Sequence, residues 1–208
     1  MEKMIGIIVA TDEEEAAIKE TIKKDNIVIV KSGVGKVNAA RTTQKLIDDY
    51  DIEYIINTGS AGALNPWLNI GDIVVGKNLV QHDFDITAFG HPKGYISGVG
   101  RQVEADDKLV SKCKDVLIGI IASGDVFCVS EKMKDDIRAE FDADCVEMEG
   151  AAIAQVCKLS DIPFIVIRSI SDTPNGNNQM DYNEYAKLAS KKCAEFIKKL
   201  LEDSYECN

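Results

Sequence analysis

Four short segments of the 208-residue chain carry residue types able to do chemistry. Thr11-Asp12-Glu13-Glu14-Glu15 follows the apolar run Met4 to Ala10. One reading is an acidic first helical turn, with Asp12 as cap and the glutamates complementing the helix dipole. In the other, a glutamate points over the edge of a sheet as a general base. Asn57-Thr58-Gly59-Ser60-Ala61-Gly62 follows the run Tyr54 to Ile56, and its small residues would let backbone amides approach a ligand. Glu147-Met148-Glu149-Gly150 leads into a small-residue helix containing Ala151, Ala152 and Ala154. Its neighbours read as buried, so a carboxylate there requires a partner, and a polyhydroxylated ligand offers Glu149 hydrogen-bond donors. Arg168-Ser169-Ile170-Ser171-Asp172 ends the last apolar run, where Asp172 is either a turn former or a general acid. The combination matters more than any one segment, because three strand ends of one sheet would each present a carboxylate to a common cleft.

The elements that must position these groups follow from periodicity. Ile- and Val-rich runs at Met4 to Ala10, Asn26 to Val30, Tyr54 to Ile56, Ile73 to Val75, Leu117 to Ala122 and Phe164 to Ile167 read as buried strands. Tyr182, Tyr185, Leu188, Ala189, Cys193, Phe196, Ile197, Leu200 and Leu201 recur at spacings of three and four, marking a long C-terminal helix. Alternating strands and helices predict an α/β fold with a largely parallel central sheet, whose ligands sit beyond the carboxyl ends of the strands. No linker or repeat divides residues 1–208, so a single domain is expected, and the glycine-rich stretch from Gln81 to Gly100 is its one long irregular region.

Composition narrows the partners. The net charge of −11 disfavours nucleic acid and anionic membrane. No apolar run approaches the roughly 20 residues of a membrane span, and the N-terminus lacks a signal-peptide pattern, so a soluble cytoplasmic protein is expected. Six widely spaced cysteines without a CxxC read as buried free thiols. Lys31 to Val37 (KSGVGKV) echoes a phosphate-binding loop, but Val30 and Val37 occupy the positions that need Gly and Ser or Thr. His82-Asp83-Phe84-Asp85 has metal-ligand residue types with only one other histidine, His91, in the chain, and reads as local structure.

The ordered set IGIIVATDEEE, KSGVGKVNAA, YIINTGSAGAL, GDIVV, HDFDITAFG, SGDVF, VEMEGAAIAQVC and VIRSISD resembles the 5'-methylthioadenosine/S-adenosylhomocysteine nucleosidases of the purine nucleoside phosphorylase and uridine phosphorylase superfamily. The resemblance runs from Ile5 to the C-terminal helix. It implies a three-layer αβα sandwich with a central mixed, largely parallel sheet, a homodimer, no cofactor or metal, and hydrolysis of the N-glycosidic bond of adenine nucleosides modified at C5'. Carried over residue by residue, it makes Asp172 the acid that protonates adenine N7 and Glu14 the base that activates water. Glu149 would bind the ribose hydroxyls, with Met148 against the sugar, and Ser60 and Gly62 would help hold the water and its base. Phe127 would stack on adenine, the Cys128 backbone would read the base edge, and Phe89 would reach the 5' pocket of the neighbouring subunit. Val34, Glu147, Ser171 and Tyr182 complete the implied substrate-binding set.

Departures from the family pattern qualify that picture. Between Glu15 and Lys31 the chain is short by about a hairpin. Pro174 stands where a backbone N–H would otherwise bond Asp172, so the acid is expected to be held differently or to be weaker. Thr11, Ser97, His91 and Tyr182 suggest a 5' pocket more polar than usual, tolerant of homocysteine or an unsubstituted 5' end. Related phosphorylases commonly place an arginine where Asn57 stands, and four acidic residues follow the first strand, so water is favoured over phosphate as nucleophile. A purine nucleoside phosphorylase, an aminofutalosine nucleosidase and a non-catalytic nucleoside binder are the alternatives.

Overall fold

Strand β1 (Met4–Val9) is buried along nearly its whole length, and its neighbours explain why. It pairs in parallel with β2 (Ile27–Lys31) on one side and with β3 (Ile52–Ala63) on the other. Strands covered on both faces need apolar side chains at consecutive positions, which is the Ile/Val pattern read above. The computed structural model describes residues 3–173 and 178–203, the side chains of 178–183 and 203 excepted. Pro174, Cys207 and the side chain of Tyr182 lie outside the described residues.

Strands β4 (Ile73–Gln81), β5 (Val103–Glu104), β6 (Leu117–Ser123), β7 (Cys145–Glu147) and β8 (Phe164–Asp172) complete one mixed sheet of eight strands. Five of its eight pairings are parallel. The sheet also closes on itself. β3 pairs with β8, β8 with β4, β4 with β6, β6 with β7, and β7 returns to the far end of β3. Strands β1 and β2 extend from this ring on one side and β5 on the other, so half-buried β2 and the short β5 form the edges.

Helices cover the sheet in two pairs, α1 (Asp12–Thr21) with α6 (Asn178–Asp203) and α2 (Lys36–Asp49) with α5 (Gly150–Leu159). Between α2 and α5 in the chain lie the short helix α3 (Asp107–Ser111) and the longer α4 (Glu131–Phe141). On α6, Ala189, Cys193, Ile197, Leu200 and Leu201 face the core as the periodicity predicts, Ala194 joins them, and Leu188 is exposed. Ala151, Ala152 and Ala154 are buried on α5, and their small side chains permit its close approach to α2. The main core fills between these layers, and a smaller cluster around Ile137 and Phe141 fastens α4. The α/β class with a central mixed, largely parallel sheet is therefore the architecture observed.

Two local expectations are corrected and a third is met. The TGSAG and RSISD segments are not loops after strands, because β3 runs on to Ala63 and β8 on to Asp172, paired with each other through both segments. Thr11, not Asp12, caps α1. The chain passes directly from α1 to β2 with no strand pair between them, which is the shortening inferred from the sequence.

Candidate active site

The glycines in the extended part of β3 make room for side chains rather than for a turn. A Cβ at Gly59 would lie 2.6 Å from both Arg168 Nη1 and Glu14 Oε1, and one at Gly62 would lie 2.9 Å from Asp172 Oδ2. Glycine inside a strand commonly marks such close approach. Two carboxylates thus cross the same strand a few residues apart, one arriving from α1 and the other from the end of β8.

Glu14 joins the two readings of the acidic run. Its backbone N–H donates to Thr11 Oγ1 at 3.3 Å, while its Oε2 accepts from the N–H groups of Ala10 and Thr11 at 2.8 and 3.1 Å. This capping box fixes the start of α1. The same carboxylate accepts from Ser60 N–H at 3.1 Å through Oε1, which turns it into the cleft. Asp12 pairs outward with Lys31, and Glu15 with Lys19, so Glu14 is the buried acid of the run.

Beneath the cleft lies Arg168, 1% exposed, reached by Asn57 Oδ1 at 2.6 Å, by Glu147 Oε2 and, at 3.8 Å, by Glu149 Oε2. Burial alone would lower the guanidinium pKa, but the facing Glu147, Glu149 and Glu14 raise it. Glu147 is engaged throughout: besides Arg168 it accepts from Ser123 Oγ and from the N–H groups of Glu149 and Gly150 at the start of α5. Glu149 keeps more freedom. Its Oε1 accepts from Gly35 N–H at 2.9 Å, and burial, reinforced by the charge of Glu147, pushes its carboxyl up to about 7 against the pull of Arg168 and that N–H.

The phosphate-loop echo ends here too. Gly33 and Gly35 adopt φ of +83° and +99°, and the amides at the start of α2 are taken by the protein's own carboxylates, Gly35 by Glu149 and Lys36 by Asp125. In the HDFD segment, Asp83 pairs with Lys36 and accepts from Asp125 N–H, while Asp85 accepts from Thr87 N–H. Those residues serve local structure, as their sequence context indicates.

Asp172 is 2% exposed. Lys134 Nζ on α4 donates to its Oδ2 at 2.6 Å and to Thr173 O at 3.2 Å, and the Ser171 hydroxyl reaches Oδ1 at 3.2 Å. No sequence motif assigns a role to Lys134 or Arg168, yet each leaves a signal. Lys134 shares the i, i+3, i+7 stripe of Ile137 and Phe141, and Arg168 interrupts a run buried on every side. A charge in either place requires a partner.

One cleft gathers these groups, enclosing about 770 Å³ with its open mouth included, within the range of small-molecule sites. It is lined by Val34, Ser60, Gly62, Phe127, Cys128, Met148, Glu147, Glu149 and Ser171, together with Glu14 and Asp172. Phe127 is 39% exposed on its wall, and the thiol of buried Cys128 is pushed up to about 11 by desolvation. Two expected neighbours are elsewhere. Phe89 is 81% exposed in a short 3-10 turn and does not line the cleft of its own chain. His91 stacks on Tyr95 at the surface, and neither it nor exposed Ser97 lines the cleft, so of the residues expected to make the 5' pocket polar only Thr11 does among the described side chains. The two buried cations among the described residues, Arg168 and Lys134, are both engaged by the site's own carboxyl groups, an arrangement that suits a cation-like sugar better than a phosphate dianion.

Comparison with known proteins gives the family. The family model described as the phosphorylase superfamily matches residues 10–202. A 5'-methylthioadenosine/S-adenosylhomocysteine nucleosidase of Staphylococcus carnosus is 38% identical, with 96% of this chain and 99% of that protein covered. A mutant Helicobacter pylori nucleosidase crystallised with 5'-methylthioadenosine in its active site superposes with a TM-score of 0.92 at 32% identity, covering 98% of this chain and 100% of that one. A Helicobacter pylori futalosine hydrolase superposes at 0.91 with 32% identity, covering 97% and 98%. The chain belongs to the phosphorylase superfamily and, within it, to the 5'-methylthioadenosine/S-adenosylhomocysteine nucleosidases, which are N-glycosidic hydrolases.

Proposed function

We propose that the protein hydrolyses the N-glycosidic bond of 5'-modified adenine nucleosides, 5'-methylthioadenosine and S-adenosylhomocysteine first among them, releasing adenine and the 5-substituted ribose. The observation that carries this reading is the sharing of one cleft by Glu14, Glu149 and Asp172, three carboxylates brought from separate elements. Adenine leaves poorly as an anion, so Asp172 supplies a proton to N7 as the bond to the sugar breaks. The sugar develops positive charge that the acidic floor stabilises. Glu14, aimed by the Ala10, Thr11 and Ser60 amides, takes a proton from the attacking water. Glu149 accepts from the ribose hydroxyls, Met148 packs on the sugar, and Phe127 stacks on the base with Cys128, Val34 and Ser171 around it. The bonds that Glu147 makes to Arg168 and to the start of α5 support a positioning role for it rather than direct substrate contact.

The same reading makes the active unit a homodimer in which Phe89 closes the partner's 5' pocket, consistent with a large aromatic side chain left exposed in one chain. It also puts the protein in the cytoplasm, where the described cysteines, all buried free thiols, stay reduced, and in the recycling of methionine from 5'-methylthioadenosine. Thr11 is a small residue at the cleft and leaves room for varied 5' groups, an unsubstituted 5'-deoxyadenosine included. Adenine release from 5'-methylthioadenosine, S-adenosylhomocysteine, 5'-deoxyadenosine and aminofutalosine tests the proposal. We expect specificity constants for the first two within about tenfold of each other. A strong preference for methylthio would remove the tolerant pocket, and absence of adenine from every substrate would remove the function.

A further inference from the structure

Two cations are buried among the described residues, and they pair with different carboxylates. Arg168 lies under the carboxylates of the sugar side, while Lys134 faces Asp172. The reading of Asp172 as the acid leaves Lys134 without a task, and stability alone does not account for it. A buried ion pair seldom stabilises a fold more than apolar side chains of the same volume would. Position 134 falls on the stripe that Ile137 and Phe141 use to pack α4, where an apolar side chain would need no partner. The charge is kept where it meets the carboxyl at the end of β8.

We infer that Lys134 is a positioning residue for Asp172: its ammonium fixes Oδ2 and stabilises the carboxylate that remains once Asp172 has protonated the leaving purine. The inference rests on the proposed glycosidic hydrolysis. The C1'–N9 bond breaks with its electron pair passing to the purine, and N7 takes the proton from the Asp172 carboxyl. The resulting carboxylate is met by the ammonium, which keeps all its protons. Water adds to C1' and gives its proton to Glu14. Glu14 then releases that proton to solvent and Asp172 takes one back, so nucleoside plus water yields adenine plus sugar. Lys134 also bonds the carbonyl of Thr173, tying the acid to the backbone just before Pro174, where no N–H is available to do so. The side chain of α4 thus supplies the support that the sequence led us to expect from elsewhere.

The test is a double-mutant cycle on purified protein, with adenine release from 5'-methylthioadenosine as readout and thermal melting as a check on folding. Lys134→Met is expected to lower kcat by about 10–100-fold with KM changed by less than about threefold, because a facing cation acts on the acid and not on binding. Lys134→Arg restores most of the loss. In the Asp172→Asn background, Lys134→Met changes kcat by less than about twofold, since no carboxylate remains to be stabilised. If Lys134→Met does not fold, Lys134→Gln and the neutral double variant carry the same comparison. Unchanged kcat in the single variant, or an equal loss in both backgrounds, overturns the role of Lys134. Absence of adenine from the wild type, or a wild-type rate in Asp172→Asn alone, refutes instead the reading on which it rests.

Discussion

Glu14 shows how one side chain serves both folding and chemistry. It completes the cap of α1 and, with the same carboxylate, faces the cleft through Ser60 N–H. A general acid or base contributes about 10²–10⁴-fold, so Glu14→Gln and Asp172→Asn should each lower kcat by that order without changing the fold, as steady-state rates and melting curves will show. Near-normal turnover in either variant removes that residue from the mechanism. Glu149 gives a prediction in pH. Its carboxyl is raised from 4.5 to about 7 by burial and by Glu147, so the folded protein holds more protons than the unfolded chain between those values. Stability from this group is present at low pH and is lost as pH rises through about 7. Affinity for a non-hydrolysable nucleoside should move the other way, improving as Glu149 ionises, because only the carboxylate accepts from both sugar hydroxyls. Titration calorimetry from pH 5 to about 8 measures it, and a flat profile in wild type and Glu149→Gln alike contradicts the assignment.

Elements were legible where the apolar signal was continuous and obscure where it was not. The Ile/Val runs marked β1, β2 and β6 nearly to their ends, and the spacing on α6 marked its buried face. The apolar pattern marks β3 and β8 short because Thr58, Gly59, Ser60, Ser169 and Ser171 dilute it just where the strands enter the site. Closure of the ring through β7 depends on contacts distant in sequence, which no local pattern carries. Carboxylates were found because an acid at a strand end looks like chemistry, whereas Lys134 and Arg168 were missed because their partners lie 38 and 21 positions away. Gly59→Ala introduces a Cβ 2.6 Å from Arg168 Nη1 and Glu14 Oε1, so the buried network must shift. Overpacking of this kind costs about 1–3 kcal/mol. Urea melts should show that loss, and kcat should fall at least about tenfold as Glu14 is displaced. Wild-type values of both would mean that the glycine is not there to admit these side chains.

At the scale of the molecule, a closed strand ring with helices around it delivers acidic groups from α1, β7 and β8 to one cleft. With both buried cations engaged by carboxyl groups of the site, inorganic phosphate is expected neither to accelerate adenine release nor to yield ribose 1-phosphate, and a phosphate-dependent reaction would return the protein to the phosphorylases. The central claim is that a single adenine nucleoside lies between Glu14 and Asp172. A crystal structure with a non-hydrolysable adenine nucleoside analogue tests it most directly. The account predicts the purine N7 within hydrogen-bond reach of Asp172, the sugar hydroxyls on Glu149, and a water between Glu14 and C1'. An analogue bound elsewhere, or bound in this cleft with its glycosidic bond out of reach of either carboxylate, would contradict it.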